Sequence, residues 1–520
     1  MTIFGPLSKD TCNFFSKYLS FIAILLSILF PIASFAQNFA IKESTTEYAD
    51  FLHDFIYVNP SRYVCINYSG PHGAFSMKRD DKTTIVSGYD AALKEIYSLP
   101  VKELGGKKYE GAVSFHNQVS LFFSDNAKLY KCAVDVNKGT LINPPIEIGP
   151  ATAGAGNFMK GFSADSTRCY AICRSHESKS KDELYSGVVM DSQSNVLTRF
   201  SFTAEGLREY VANRTCVLSA EGALHIIQAI RVKAPKDDYR PLQYVVTDVG
   251  VDGISTTTLL SGLPEGLFAD VTWRDNGNAL SFSGLLAKTK KIGFQSVLSG
   301  EYRIADKKLT NLAEKEYSNS PALQNNNEKY VKEIQREGIP QEASLASTYS
   351  DADGSTLLIL EKTQFIETFS NGFNYTDVRS GDLYVLRVKA NHELDWIKAI
   401  PKNQLEPMAY TFTGILSMPD QHGGIFLFFQ DNQRNENIEP GGKATQTTLQ
   451  GGWRNISLAE IHIDKDGGMT KKFIFDNSAV DFHLAPQQPF LVHNKVLIFT
   501  SYNQKTLGRS NFRVGTIEVH

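Results

Sequence analysis

The sequence predicts an all-β fold, a single β-propeller built of four-stranded antiparallel blades. Three observations predict it. Short runs rich in β-branched and aromatic residues recur along the chain, tight turns with Gly, Asn or Asp separate them, and polar loops divide them into groups of four. A chain of 520 residues, 42% of them hydrophobic, is long enough to bury the core of such a ring. Counting the second strand of each group gives eight blades, and seven is the alternative.

The clearest group of four runs lies near the C-terminus. Residues 415–418 and 425–429 flank the turn 420–424, and residues 458–463 and 472–475 flank the turn 464–468. Each turn combines Asp with Gly, as expected for a tight connection between antiparallel strands. The Asp-rich turns 351–354 and 464–467 lack the later acidic ligands of a calcium loop, so they are predicted to be hairpin turns.

Two further segments carry a family resemblance. The hairpin 382–397, which ends in a strand with Trp396, resembles blade halves of secreted bacterial propellers. The turn at residues 162–166, Phe-Ser-Ala-Asp-Ser, resembles the Phe-Ser-x-Asp-Gly turn of TolB-like and WD-repeat-like propellers, with Ser166 where those repeats prefer Gly. The resemblance implies a propeller over most of the chain, and it implies no activity.

The N-terminus has the pattern of an export signal. Lys9 and Lys17 precede the apolar run 21–30, which leads to small residues and Ala36. We predict a signal peptide over residues 1–36, cleaved after Ala36, and a propeller over residues 37–520. The alternative is an uncleaved anchor, but the run is shorter than the roughly 20 residues that a spanning helix needs. The junction Ala36-Gln37 resembles signal peptides of Bacteroidota, which implies the periplasm or the cell exterior.

Two other segments have a predicted place in the ring. The last run, residues 514–520, is expected to be the third strand of the final blade, and a strand around residues 38–41 is expected to supply the fourth and close the ring. The polar stretch 319–341 interrupts the strand pattern. It is predicted to be an insertion, either a solvated loop or a short helix from Glu328 with Tyr330 and Ile334 on one side.

One face of the predicted disc carries long loops. Loops between the second and third strands of a blade emerge on the same face as loops between blades, and several of these are long. They cover residues 67–82, 174–182, 232–240, 363–381 and 430–454. The alternative interpretation is that they are tolerated surface insertions. The candidate binding residues are the aromatic side chains within these loops, namely Tyr239, Phe369, Phe373, Tyr375 and Trp453.

Composition and motifs restrict the function without assigning it. The net charge of -3 and the pI near 6.4 make nucleic acid an unlikely partner. No hydrolase, phosphate-binding or dinucleotide motif is present in the sequence, and no metal-ligand spacing accompanies the cysteines, so we predict no cofactor, no metal and no membrane span after signal cleavage. We expect a binding or scaffold module for a protein or glycan ligand. The alternative is an extracellular hydrolase of carbohydrate or peptide, with acidic residues converging in the channel.

Overall fold

In its described residues the computed structural model contains eight sheets, which are antiparallel except for one short parallel pair and follow one another along the chain. It describes residues 39–519 except 44–51, 60, 70–82, 103–106, 116, 126, 152–156, 177–179, 206–210, 232–241, 265–266, 289–291, 318–319, 324–325, 352, 371–372, 408–411, 439–442, 450–454, 477–482, 487–490, 494–495 and 504–510. The predicted signal peptide lies outside the described residues. The all-β propeller with eight blades is confirmed, and the alternative of seven is not needed.

Strands of about eight residues form the blades. The strands of the first four blades, preceded by β1, are β1 (Phe39–Glu43), β2 (Leu52–Asn59), β3 (Arg62–Ser69), β4 (Thr83–Tyr89), β5 (Glu95–Pro100), β6 (Lys108–Phe115), β7 (Gln118–Ser124), β8 (Lys128–Asp135), β9 (Thr140–Pro150), β10 (Asn157–Phe162), β11 (Arg168–Ser175), β12 (Glu183–Asp191), β13 (Val196–Ala204), β14 (Val211–Leu218), β15 (Leu224–Arg231), β16 (Leu242–Val249) and β17 (Ser255–Leu259). Blade 1 is β2 to β5, and blades 2, 3 and 4 follow in sets of four.

The second half of the chain contains an α-helix and two blades, blades 6 and 8, whose sheets have more than four strands. Its elements are β18 (Leu267–Asp275), β19 (Ala279–Ala287), β20 (Ser296–Arg303), β21 (Lys308–Glu316), α1 (Glu328–Glu337), β22 (Ala343–Ser350), β23 (Thr356–Ser370), β24 (Phe373–Val388), β25 (Leu394–Ile400), β26 (Gln404–Glu406), β27 (Leu416–Pro419), β28 (Ile425–Asn432), β29 (Thr447–Thr448), β30 (Ile456–Ile463), β31 (Met469–Asp476), β32 (His483–Leu484), β33 (Leu491–His493), β34 (Val496–Asn503) and β35 (Asn511–Val519). Blade 5 is β18 to β21, blade 6 is β22 to β25 with β26 and β29 added, and blade 7 is β27, β28, β30 and β31. Blade 8 comprises β32 to β35 and β1.

The hydrophobic core is divided into eight clusters, and each cluster lies between two neighbouring blades. Strand β11 shows the cause. Cys169, Ala171 and Cys173 pack toward blade 2, whereas Tyr170 and Ile172 pack toward blade 4, because successive side chains of a strand point to opposite faces. One cluster joins blade 8 to blade 1, so the blades form a closed ring.

The first and last strands of the chain close this ring by pairing with each other. Strand β1 pairs antiparallel with β35 over five residues, from Phe39 opposite Val519 to Glu43 opposite Gly515. It is therefore the outermost strand of blade 8, although it precedes the rest of the chain. The structure has the third and fourth strands of this blade where the sequence analysis expected them, with the fourth running two residues beyond Ile41.

One face of the disc consists of tight turns, which we call the tight-turn face. In these turns the N–H of the fourth residue donates to the carbonyl of the first, as in Asp351 with Gly354 and Asp464 with Gly467. Ser166 adopts a φ of 55° in the equivalent place, a conformation that Gly adopts at lower cost. Five side chains donate to turn carbonyls of the next blade, and these pairs are Lys131 with Ser194, Thr198 with Val251, Arg274 with Gly354, Arg387 with Gly423 and Trp396 with Lys465. This face therefore holds the blades together.

Helix α1 lies in the connection between blades 5 and 6. The Asn327 side chain caps its first turn by accepting a hydrogen bond from the N–H of Lys329 at 2.9 Å, and Gly338 ends it with a φ of 73°. Tyr330 and Ile334, one turn apart on the same side, are buried in the cluster between the two blades. Because it covers this cluster, α1 is part of the packed body of the propeller.

The five cysteines of the described residues form no disulfide there, and these are Cys65, Cys132, Cys169, Cys173 and Cys216. Cys169 and Cys173 lie on the same side of β11, in the cluster between blades 2 and 3. Burial raises the pKa of Cys169 and of Cys173 to about 12, so almost no reactive thiolate is present at neutral pH. In this structure these cysteines serve as small hydrophobic side chains.

Candidate functional site

The face opposite the tight turns carries the long connections, and we call it the long-loop face. Four of the five segments expected to be irregular on this face are partly regular. Residues 363–381 were predicted to be a loop. In the structure they continue strands β23 and β24 of blade 6. Residues 430–432, taken as the start of another loop, belong to β28. The predicted loop 67–82 begins with residues 67–69 of β3, and residues 70–82 lie outside the described residues. The predicted loop 174–182 begins with residues 174–175 of β11, and the predicted loop 232–240 lies outside the described residues.

A projecting hairpin is the most distinctive feature of the long-loop face. Strands β23 and β24 have 15 and 16 residues, about twice the usual length here, and they pair from Thr363 opposite Ser380 to Ser370 opposite Phe373. We call residues 363–380 the arm. At about 3.3 Å per residue the arm extends roughly 25 Å past the body of the blade. Asn371-Gly372, the preferred pair of a two-residue hairpin turn, separates the strands in the sequence and was the overlooked signal.

The arm exposes large apolar side chains to solvent. Phe365 is 61% exposed, Phe369 73% and Ile366 38%. All three lie within five consecutive residues of β23, with Phe365 and Phe369 on one face of the arm and Ile366 on the other. Most other exposed large apolar residues are single positions on the outer strands of different blades, such as Ile96, Ile142 and Leu312. A concentrated apolar surface on a projecting element is typical of a contact site, whereas scattered exposed residues are normal for any soluble protein.

The structure brings together three of the five residues proposed from the sequence. Phe369, Phe373 and Tyr375 lie on the arm, with Ser370 opposite Phe373 and Thr368 opposite Tyr375. Tyr239 and Trp453 lie outside the described residues. The sequence reasoning missed Phe365 and Ile366, whose exposure depends on the continuation of β23 beyond the blade.

The base of the arm is joined to two neighbouring connections. Strand β26, from the connection between blades 6 and 7, pairs antiparallel with β24 at residues 378–380 of the arm. Strand β29, from the long connection within blade 7, then pairs parallel with β26. The arm, β26 and β29 therefore belong to one sheet, and three separate connections of the long-loop face form a single structured surface.

Buried polar side chains fix the connection that contains β26. The Glu406 carboxylate accepts hydrogen bonds from the N–H groups of Phe412 and Thr413 at 2.7 and 2.9 Å. The Gln404 amide accepts one from the N–H of Gly414 and donates one to the carbonyl of Gln430. Glu406 and Gln404 are fully buried. A buried polar group is tolerated only when it is bonded, so these contacts hold the connection in one conformation.

A second buried carboxylate fixes the connection within blade 7. Asp431 accepts hydrogen bonds from Lys471 at 2.7 Å and from the Asn435 amide at 2.6 Å. Asn435 in turn donates to the carbonyl of Thr445 and accepts from its N–H. Residues 435 and 445 of this connection are therefore attached to the blade through Asp431. Such contacts argue against the interpretation of this segment as a loosely tolerated insertion.

A lysine, a glutamate and a serine are buried where the arm leaves the blade. The Lys402 ammonium lies 2.5 Å from a carboxylate oxygen of Glu361 and also donates to the Ser380 hydroxyl, which donates to Glu361. Glu361 is on β23 and Ser380 on β24, so the ion pair joins both strands of the arm to the following connection. Burial lowers the pKa of Lys402. A serine beside a lysine is a nucleophile in some hydrolases, but all three residues are buried, so we assign them a structural role.

Other chemically capable groups are also engaged in structural contacts. His225 and Asp248 form a 2.7 Å contact between strands of blade 4, and the ring of His225 is buried. On inner strands, Asp54 pairs with Lys160 at 2.9 Å, and Glu110 pairs with Lys108 at 3.1 Å. Among the described residues, no three His, Cys, Asp or Glu side chains are grouped to hold a metal ion. No helix in the described part is long and apolar enough to cross a membrane.

Comparisons with known proteins give distant structural similarities and no family. No family model and no curated protein matches the sequence. Among solved structures, the chain is similar to the Dos1 propeller, at 10% identity and a TM-score of 0.41, over 91% of this chain and 94% of that one. It is also similar to the β-propeller domain of the Trilobed protease from Pyrococcus furiosus, at 9% identity and 0.34, over 83% and 98%. The polysaccharide lyase Uly1 matches at 9% and 0.39, over 79% and 90%. Similarities this low assign no activity.

Proposed function

We propose that this protein is an exported propeller that binds a protein or glycan partner through the arm and the adjoining connections of blades 6 and 7. The observation that carries the proposal is the arm itself. It extends beyond its blade, exposes Phe365, Ile366 and Phe369, and shares a sheet with β26 and β29. Exposure of this apolar surface costs solubility, and burial against a partner recovers that cost.

The different contacts made on the two faces of the propeller support the same proposal. Side chains on the tight-turn face are engaged in holding neighbouring blades together, as Lys131 and Trp396 do. On the long-loop face, buried groups such as Glu406 and Asp431 hold connections in place beneath a solvent-exposed surface. A fixed surface binds with a lower entropic cost than a flexible one.

Export is part of the proposal. The first described strand begins at Phe39, three residues after Ala36, and it closes the ring. A chain cut after Ala36 would begin at Gln37 and would retain this strand. We propose that the mature protein acts in the periplasm or outside the cell, and that residues 1–36 are removed during export.

The proposed role predicts the outcome of a capture experiment. We expect Ile366→Ser with Phe369→Ser to reduce recovery of the partner at least tenfold, because two exposed contact side chains are removed. Leu259→Ser is the matched control, since Leu259 is 57% exposed on the outer strand of blade 4. Immobilised wild-type and variant proteins are incubated with extracts of the source cells and their surface glycans, and bound material is quantified by mass spectrometry. Equal recovery by wild type and the double variant, with both folded, would contradict the proposal.

A further inference from the structure

We infer that the arm receives an extended peptide segment of its partner as an added β-strand along the free side of β23. The inference rests on the proposed binding role and specifies the chemistry of the partner. The peptide would carry apolar side chains beside Phe365 and Phe369 and a basic side chain between them, opposite Glu367. Its recognition would combine main-chain hydrogen bonds with alternating side-chain contacts.

Strand β22 pairs with only the first part of β23, and this gives the arm an open side. Strand β22 covers one side of β23 only as far as Lys362, which pairs with Ala343. The N–H of Thr363 donates to the carbonyl of Glu342 at 3.2 Å. Beyond this point β23 continues with β24 on its other side. Within the described ranges, no strand is paired to the β22 side of residues 366–370. A backbone edge of this length accepts a strand of five to seven residues.

The sequence of this edge lacks the usual protection against strand addition. Natural edge strands are commonly blunted by Lys, Pro or a bulge. Residues 364–370 read Gln-Phe-Ile-Glu-Thr-Phe-Ser and contain one charge and neither Lys nor Pro. The outer strand of blade 5, β21, differs, because its nine residues include Lys308, Glu314, Lys315 and Glu316. The edge of the arm therefore permits pairing, whereas the edge of β21 opposes it.

Charge complementarity identifies the kind of peptide. Phe365, Glu367 and Phe369 alternate along β23 and so share one face of the arm. Glu367 is exposed and has no ion pair within the described structure. On an added strand, the residue opposite Glu367 lies about 5 Å away, where Lys or Arg is favourable and an acid is not. A second copy of this chain does not meet the requirement, since residues 364–370 contain no basic residue.

The test uses the full mature chain and a synthetic peptide. The probe is a fluorescent nine-residue peptide with Val at positions 3 and 7, Lys at position 5 and Thr elsewhere, and its binding is followed by fluorescence anisotropy. We expect saturable binding, about tenfold weaker when the central Lys is replaced by Glu. The variant Glu367→Lys should reverse this preference and bind the Glu peptide more tightly. The Lys peptide methylated at the backbone nitrogens of positions 3 to 7 should not bind, because it loses the donors of the ladder in either strand direction while it keeps its side chains.

Three results would overturn the inference. The first is the absence of binding of the Lys peptide, and the second is binding whose charge preference is unchanged in Glu367→Lys. The third is a concentration-dependent dimer, measured by sedimentation, that Ile366→Lys dissociates, which would assign the edge to a second copy. If the Lys peptide fails but the Ile366→Ser and Phe369→Ser variant still loses its partner in the capture experiment, the binding role stands and the added strand is wrong.

Discussion

Removal of residues 37–44 is expected to lower the free energy of unfolding of the mature chain by about 3–5 kcal/mol, since five residue pairs between β1 and β35 are lost at roughly 1 kcal/mol per hydrogen bond. The deletion also exposes the edge of β35, whose Ile517 and Val514 are buried, and weakens the junction of blade 8 with blade 1. Urea unfolding followed by tryptophan fluorescence measures the loss.

Two controls distinguish the loss of ring closure from the effect of a shorter chain. Replacement of residues 37–44 by a Gly/Ser segment of equal length should be as destabilising as the deletion, because such a segment forms a poor strand. Addition of a synthetic peptide with the sequence of residues 37–44 to the truncated protein should restore part of the lost stability, through binding to the native state only. Unchanged stability of the truncated chain would show that β1 does not hold the ring closed.

The second large effect is expected at Lys402. The variant Lys402→Ala leaves the buried Glu361 carboxylate without its cation, and breaking a buried pair in this way costs about 3–5 kcal/mol. The double variant Lys402→Met with Glu361→Leu should recover most of the loss, because it removes both charges. Lys128→Ala is the control, since its pair with Glu147 is solvent-exposed and should contribute far less. Thermal and urea unfolding of the four proteins gives the comparison.

This prediction also connects the buried pair to the binding surface. Lys402 contacts Glu361 on β23 and Ser380 on β24, so its loss should loosen the arm where it leaves the blade. Hydrogen exchange in the arm should therefore rise in Lys402→Ala before the rest of blade 6 is affected. If Lys402→Ala were as stable as wild type and its arm equally protected, the structural role assigned to this cluster would be wrong.

The local pattern of apolar residues and turns in the sequence was sufficient to predict the strands of the blades. For blade 7 the sequence predicted strands at 425–429 and 458–463, and the structure has Ile425–Asn432 and Ile456–Ile463. Such strands are readable because alternating apolar residues and turns with Gly or Asp are local signals. The closing strand was also within reach of prediction, since the final blade lacked a fourth strand.

Contacts between distant residues were not predictable in this way. Lys402 and Glu361 are separated by 41 positions, and nothing near either one indicates that both are buried. Strands β26 and β29 have three and two residues, too few for a periodic pattern. Residues 363–381 were predicted to be a loop, although Asn371-Gly372 is the typical pair of a two-residue hairpin turn. Phe369, Phe373 and Tyr375 were predicted as candidates, but Phe365 was not, and the arrangement of these residues on one hairpin required the structure.

The most direct test of the working surface is a hydrogen–deuterium exchange footprint of the full mature chain, recorded with and without the captured partner. We expect bound partner to slow exchange in residues 364–370 and in the connections containing β26 and β29, because these form one sheet on the long-loop face. Exchange in the tight turns at residues 420–424 and 464–468 should be unchanged. Protection confined to those turns, with the arm exchanging as in the free protein, would contradict the assignment of the binding face.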